Sequence, residues 1–439
     1  MMLTTRKTTT SQRATQQTRR QLFWVLVLLA LVATTTLCDA ATDRIRGASK
    51  GVTERLLKDK GDSSDSDGKK GKNKDSDDSS DDESDDFKNN KKGSKDSSKG
   101  NKGGKKNNSN KGTQGRFFGD KCDAGTIVVA NRGDGTITVL DASDGEAIET
   151  FELPYNEDTE LQPEPVDIVA VNGMYFVGDR ANNRVLAFDG YSNELIKMIP
   201  AGAGIYEMAT DARGTQLWVN NQIDNTTTII DLNSLTPIRT IEAPVTVGNA
   251  VVNDVVLSPS GDVGFVTYNG DGGAIVQYNA ATGAQTAINT ADVGDNLRAT
   301  LSFRFNCLYV PSTSSDQLHV LFTGDLFQEA TFPFADPFDG VTTPNGSYGY
   351  FTSTVNDNIR VLDIANNTLI DGAVPTPVVN PTKLAVTGNR LFVAHTDSDM
   401  VTIYSISPRS PVPILIDAID VGDAPFGIAH CAPLRPELC

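Results

Sequence analysis

One apolar motif returns seven times along the chain, and that return limits the available folds more than any other feature. The runs "IVVAN", "YFVGD", "LWVNN", "GFVTY", "LYVPS", "GYFTS" and "LFVAH" carry Val129, Val177, Val219, Val266, Val310, Phe351 and Val393 at matching places. The intervals between these anchors are 48, 42, 47, 44, 41 and 42 residues. Each run is followed by a polar turn and another apolar or alternating run, such as "TITVLD", "RVLAFD" or "AIVQYN". Such alternation reads as half-buried β-strand. Turns such as Asn172-Gly173, Arg213-Gly214, Ser260-Gly261, Asn345-Gly346 and Gly388-Asn389 precede the anchors and suit the positive φ angles of tight hairpins. A further strand, as in "AIETFELP", "LIKMIPAG" or "PIRTIEAP", closes each unit. Four strands repeated at a period in the mid-forties make a propeller blade. The fold class expected is all-β, a seven-bladed β-propeller over residues 116–439.

The two ends of that region are each incomplete. "APFGIAHC" reads as an innermost strand with no second strand after it, while "KCDAGTIVVAN" opens with a second strand lacking its first. Joining them closes the ring with one blade built from both termini. The closure would bring Cys431 near Cys122, and a disulfide between them is expected. It would constrain a loop of about 300 residues and stabilise by ~4 to 5 kcal/mol on the chain-entropy model. The alternative is a pair of free thiols, since four cysteines allow three full pairings and Cys307 and Cys439 have no obvious partner.

The first 115 residues differ in kind. Arg6, Lys7, Arg13, Arg19 and Arg20 precede the apolar run Leu22 to Ala33, with Cys38 and Ala40 after it, the layout of a secretory signal peptide over residues 1–40. The run is shorter than the ~18 to 20 apolar residues that span a bilayer. Residues 41–115 form a low-complexity Lys/Asp/Ser/Gly tail. Between Lys58 and Lys111 there are 15 Lys and 13 Asp or Glu, with Phe87 the one large apolar residue, so disorder is expected. A secreted or cell-surface monomer without a membrane span follows. From Gly112 onward, 15 Lys and Arg face 40 Asp and Glu, which excludes a nucleic-acid binder and favours cations, basic partners or plain solubility.

Every turn between second and third strands carries an Asp: Asp134, Asp179, Asp224, Asp271, Asp316, Asp357, and the pair Asp397 and Asp399. The fold would gather them on one binding face, suited to a protein or polycation or to calcium, the one cofactor for which the sequence offers ligands. Asp is also favoured in turns for its own backbone hydrogen bonds, and that alone would explain the pattern. Arg132, Gly133 and Asp134 spell an adhesion tripeptide that short Gly-rich turns also produce by chance. Asn225, Asn345 and Asn366 begin glycosylation sequons in turns, and Asn107 begins one in the tail. Tail serines in "SSDDESDD" would, if phosphorylated, suit a calcium, mineral or matrix surface; a solvated spacer is the plainer reading. Over residues 116–439 catalytic motifs are lacking: no HExxH, CxxCH, GxSxG or phosphate-cradling loop occurs. His319, His395 and His430 occupy different blade positions and do not suggest a shared metal.

The stretch "VVLSPSG" followed by "VGFVTYNGDGGAIVQYNAATGAQ" resembles the YVTN-type propeller repeats, a group similar to the lactonase-like propellers. The resemblance implies the seven-bladed fold and leaves two functions open. One is a secreted, non-catalytic binding scaffold tethered through the charged tail to matrix, cell wall or mineral. The other is a lactonase-like, gluconolactonase-type hydrolase with a metal in the central funnel. That second reading would draw on Glu207, Asn253, Asp254, Arg298 and Lys383, charged or amide residues near the innermost strands.

Overall fold

In the computed structural model the described residues are 125–432, apart from 271, 291–292, 296, 303–305 and 409. The expected leader and tail, with Asn107, Cys122, Asp271 and Cys439, lie outside them. The described residues form seven antiparallel sheets, with no α-helix among them. Blade 1 is built from both ends: β29 (Pro425–Cys431) pairs with β1 (Thr126–Asn131), which continues through β2 (Thr136–Asp141) and β3 (Ala147–Glu152). Blade 2 runs β4 (Pro165–Val171), β5 (Met174–Asp179), β6 (Arg184–Asp189) and β7 (Leu195–Pro200). Blade 3 runs β8 (Ile205–Thr210), β9 (Gln216–Asn221), β10 (Thr226–Asp231) and β11 (Thr236–Glu242). Blade 4 has β12 (Val251–Leu257), β13 (Val263–Asn269), β14 (Ala274–Asn279) and β15 (Gln285–Asn289). Blade 5 has β16 (Thr300–Ser302), β17 (Cys307–Ser312), β18 (Gln317–Phe322) and β19 (Gln328–Pro333). Blade 6 has β20 (Pro337–Thr342), β21 (Tyr348–Ser353), β22 (Asn358–Asp363) and the short β23 (Thr368–Leu369) and β24 (Val374–Pro375). Blade 7 ends the series with β25 (Pro381–Val386), β26 (Arg390–His395), β27 (Met400–Ser407) and β28 (Ser410–Asp420). The first strands touch in order around a ring, from β29 to β4, β8, β12, β16, β20, β25 and back to β29.

Burial follows position in the blade. Second and third strands are covered on both faces by neighbouring blades, so "TIVVAN" and "QLWVNN" are buried from their second residue on. Outermost strands alternate instead, as in "LIKMIP". The core is therefore a series of wedges between sheets: Val128, Ala130, Tyr175 and Val177 fill the one between blades 1 and 2. Ile127, Val129, Phe392 and Ala394 fill the one across the closure. Each buried Val, Ile or Phe contributes roughly 1.5 to 3 kcal/mol.

The turns behave as their residues dictate. Asn172 and Gly173 both have positive φ, 52° and 70°. The turns between second and third strands end on a left-handed residue, which is Gly135, Asn183, Asn225, Asp316, Asp357 or Asp399 in six of the blades. Gly, Asn and Asp tolerate that region best. The expected Cys122–Cys431 bridge involves a residue outside the described ones; Cys431 itself is buried against Gly190, and burial pushes its thiol up to about 11.

Candidate functional site

The innermost strands place one residue each at a shared level of the central channel. In β4, β8, β12, β20, β25 and β29 the residues Ile168, Met208, Val255, Gly340, Leu384 and Ile428 pair with the anchors Val177, Val219, Val266, Phe351, Val393 and Val129. In β16 the Thr300–Tyr309 pair puts Ala299 opposite Val310. The residues just before these seven are Asp167, Glu207, Asp254, Arg298, Asp339, Lys383 and Gly427. Six of the seven equivalent positions are charged. A register shift falls at this level in six innermost strands, and such bulges re-aim a side chain.

The charges are paired among themselves. Glu207, 1% exposed, accepts from Arg298 on one oxygen and from Lys383 on the other. Lys383 Nζ also donates to Asp167 Oδ1 at 2.6 Å, so blades 2, 3, 5 and 7 meet in one network. Backbone N–H groups complete it: Met208 N donates to Asp167 Oδ2 at 2.8 Å and Ala299 N to Asp254 Oδ2 at 2.6 Å. Each of these bonds ties one blade to the next. An aromatic group caps the guanidinium: Arg298 lies 4.4 Å from the Phe338 ring centroid, 5.3 Å from Tyr206 and 5.7 Å from Phe426. Arg298 also donates to the Tyr206 hydroxyl oxygen at 2.9 Å.

Electrostatics divides the acids. Burial alone would raise Glu207, but Arg298 and Lys383 outweigh it and hold its carboxyl below the usual range. Burial raises Asp167 to about 7 against the pull of Lys383. Burial, with Glu207 adding to it, raises Asp254 to about 8. Desolvation likewise raises Asp339. Lys383 and Arg298 are both held charged, because their carboxylate neighbours outweigh burial. At neutral pH the network thus has two cations, an ionised Glu207, and Asp167 and Asp254 near the point of ionisation.

Sequence reasoning named Glu207, Asp254, Arg298 and Lys383, and the structure brings these four to one level. Asn253 is different: its amide donates to the Leu297 carbonyl at 2.7 Å and its oxygen accepts from Gln222. Asp167 and Asp339 were missed. Their signal is a carboxylate in the third place of "PVDIVAV" and "PFDGVT", the place Lys383 holds in "PTKLAV".

The turn aspartates tie loops together. Asp134 Oδ2 accepts from Asp423 N at 3.0 Å, Asp224 Oδ2 from Ala203 N at 2.6 Å and Asp316 Oδ1 from Asp336 N at 2.8 Å. Asp357 Oδ1 accepts from Asn380 N at 2.7 Å and Asp399 Oδ1 from Ala424 N at 2.9 Å. Asp179 is fully buried and paired with Arg184, while Asp397 is exposed. Arg132 of the adhesion tripeptide is paired with Glu164. His319 and His395 are buried, the latter bonded to the Val379 carbonyl and Thr402, and burial holds His395 down at about 4. Of the sequons, Asn345 and Asn366 are exposed, whereas the Asn225 amide donates to the Ala250 carbonyl at 3.1 Å.

No family model and no curated protein matches the sequence. Solved structures do match the fold. A protein of unknown function from Desulfotomaculum acetoxidans superposes with TM-score 0.58 at 14% identity, over 71% of this chain and 100% of that one. A provisionally assigned 6-phosphogluconolactonase from Bacteroides uniformis gives 0.57 at 19% identity, over 70% and 99%. The chain shares the fold of lactonase-like propellers. Hydrazine synthase of Kuenenia stuttgartiensis also superposes, with TM-score 0.53 at 15% identity over 64% and 94%, so propellers of different names are alike at this level. Identities this low establish the fold alone.

Proposed function

We propose that this protein is an exported, non-catalytic binding propeller, held by its charged N-terminal segment at a matrix, wall or mineral surface. The observation that carries the non-catalytic part is the pairing of Glu207 with Arg298 and Lys383. A calcium ion, or the metal of a lactonase-like hydrolase, needs several carboxylate oxygens converging on one point. Here two side-chain cations already occupy those oxygens, and each remaining aspartate oxygen named above is turned to a backbone N–H or to Lys383. This donor set does not fit a divalent ion. What the ring does is join blades, since its ion pairs and the Met208 and Ala299 N–H bonds cross from one sheet to another.

A hydrolase reading draws on one feature, the split between a depressed Glu207 and a raised Asp254 in the same channel. The two readings separate in one assay. Purified full-length protein offered a panel of sugar lactones is expected to hydrolyse none above the rate without enzyme; hydrolysis abolished by Glu207→Gln would establish the enzyme instead. The tether has its own test. Deleting residues 58–111 is expected to move the protein from the surface fraction into the medium, and unchanged retention would remove that role.

A further inference from the structure

We infer that blade 3 carries a docking site for a cationic amphipathic polypeptide segment. The inference rests on the binding reading above and names the partner. A groove of about 530 Å³ runs along the outer part of this blade, with Asp224 and Glu242 at one end and Thr226, Thr228 and Thr240 along it. Asn221 lies behind it, fully buried, against Gly202. Its amide donates to Thr226 and Thr228 at 3.0 and 2.9 Å, while its Oδ1 has no partner. Asp224 and Glu242 give the groove its negative charge, and none of the ion pairs among the described residues involves either.

Large apolar side chains stand beside the same end. Ile223 precedes Asp224 and is 73% exposed, and Val245, three residues after Glu242, is 96% exposed. Neither sits on a loose loop. Ile223 N donates to the Ala203 carbonyl, Asp224 accepts from Ala203 N, and Asn225 bonds to Ala250 and Val252. Exposed apolar side chains on a fixed frame, next to carboxylates with no cationic side chain beside them, match a segment that offers both Lys or Arg and Leu-type residues. A Lys or Arg stem would lie along the threonines with its charge between Asp224 and Glu242, and the neighbouring apolar side chains would cover Ile223 and Val245. An amphipathic probe should then outbind a purely basic one.

The test uses the full-length protein and two synthetic peptides of equal length and charge, one alternating Lys with Leu, the other Lys with Ser. Binding is followed by fluorescence anisotropy at 0.15 M salt, where long-range attraction is screened. The Lys/Leu peptide is expected to bind at least tenfold tighter than the Lys/Ser peptide. Ile223→Ser and Glu242→Gln should each weaken it several-fold, and Tyr191→Ser in blade 2 should leave it unchanged. Equal affinity for the two peptides, insensitivity to Ile223→Ser and Glu242→Gln, or no binding of either peptide would overturn the inference. The lactone assay is independent: hydrolysis would refute the non-catalytic reading while leaving this result standing, and failure here would leave that reading intact.

Discussion

Replacing Glu207 by Gln removes the one carboxylate that faces both buried cations. Lys383 keeps Asp167 at 2.6 Å, while Arg298 keeps the Tyr206 hydroxyl and the Phe338 ring. Removing one partner of a buried ion pair costs about 3 to 5 kcal/mol, because the other charge stays desolvated. The ring also holds a reserve. Glu207 is one cause of the raised Asp254, so its loss lets Asp254 ionise at lower pH and take over part of the balancing. That ionisation returns part of the cost as the pH rises towards 8. The expected cost is therefore about 3 to 5 kcal/mol at pH 6 and smaller at pH 9. Urea unfolding of the full-length protein at the two pH values, followed by Trp fluorescence, measures both. In an Asp254→Asn background the relief at pH 9 should shrink. A cost under 1 kcal/mol at pH 6, or one independent of pH, would refute the view of the ring as a coupled charge network.

Other consequences can be checked separately. Asp254 titrates near 8 folded against an ordinary 3.8, and Asp167 near 7, so the folded state keeps protons that the unfolded chain has released. Stability from these groups is complete below about pH 4 and is lost as pH rises through 7 to 8, so the urea midpoint should fall from pH 6 to pH 9 and Asp254→Asn should flatten that fall. A Cβ on Gly427 would lie 2.8 Å from Asp167 Cα, where β29 passes β4, so Gly427→Ala should cost ~1 to 3 kcal/mol by thermal unfolding. With its thiol buried and raised to about 11, Cys431 should resist a thiol reagent at pH 8 until the protein is unfolded; rapid native labelling would show that the closing strand opens.

Much of this fold is legible in the sequence because two signals agree. Buried second strands such as "LFVAH" recur at blade length, and Asn172-Gly173 marks a hairpin that the structure builds with two positive φ angles. The site was legible in part. Glu207, Asp254 and Lys383 stand out as charges inside apolar runs. Asp167 and Asp339 have the same setting, but their shared level depends on bulges that offset the innermost strands, and a one-residue shift turns a side chain to the other face. Gly427 gives no chemical signal at all, although its missing side chain is what lets β29 approach Asp167. The turn aspartates were visible as a pattern; their backbone partners, supplied by loops 20 to 25 residues away and, for Asp134, by Asp423 near the other end of the propeller, were not.

The central claim is that cations built into the chain occupy the channel carboxylates. Elemental analysis of the full-length protein, purified at neutral pH without chelator and exchanged into metal-free buffer, addresses it directly. The account predicts well under one calcium or transition-metal ion per chain, unchanged by Glu207→Gln. One tightly held ion per chain that disappears with Glu207→Gln would contradict it.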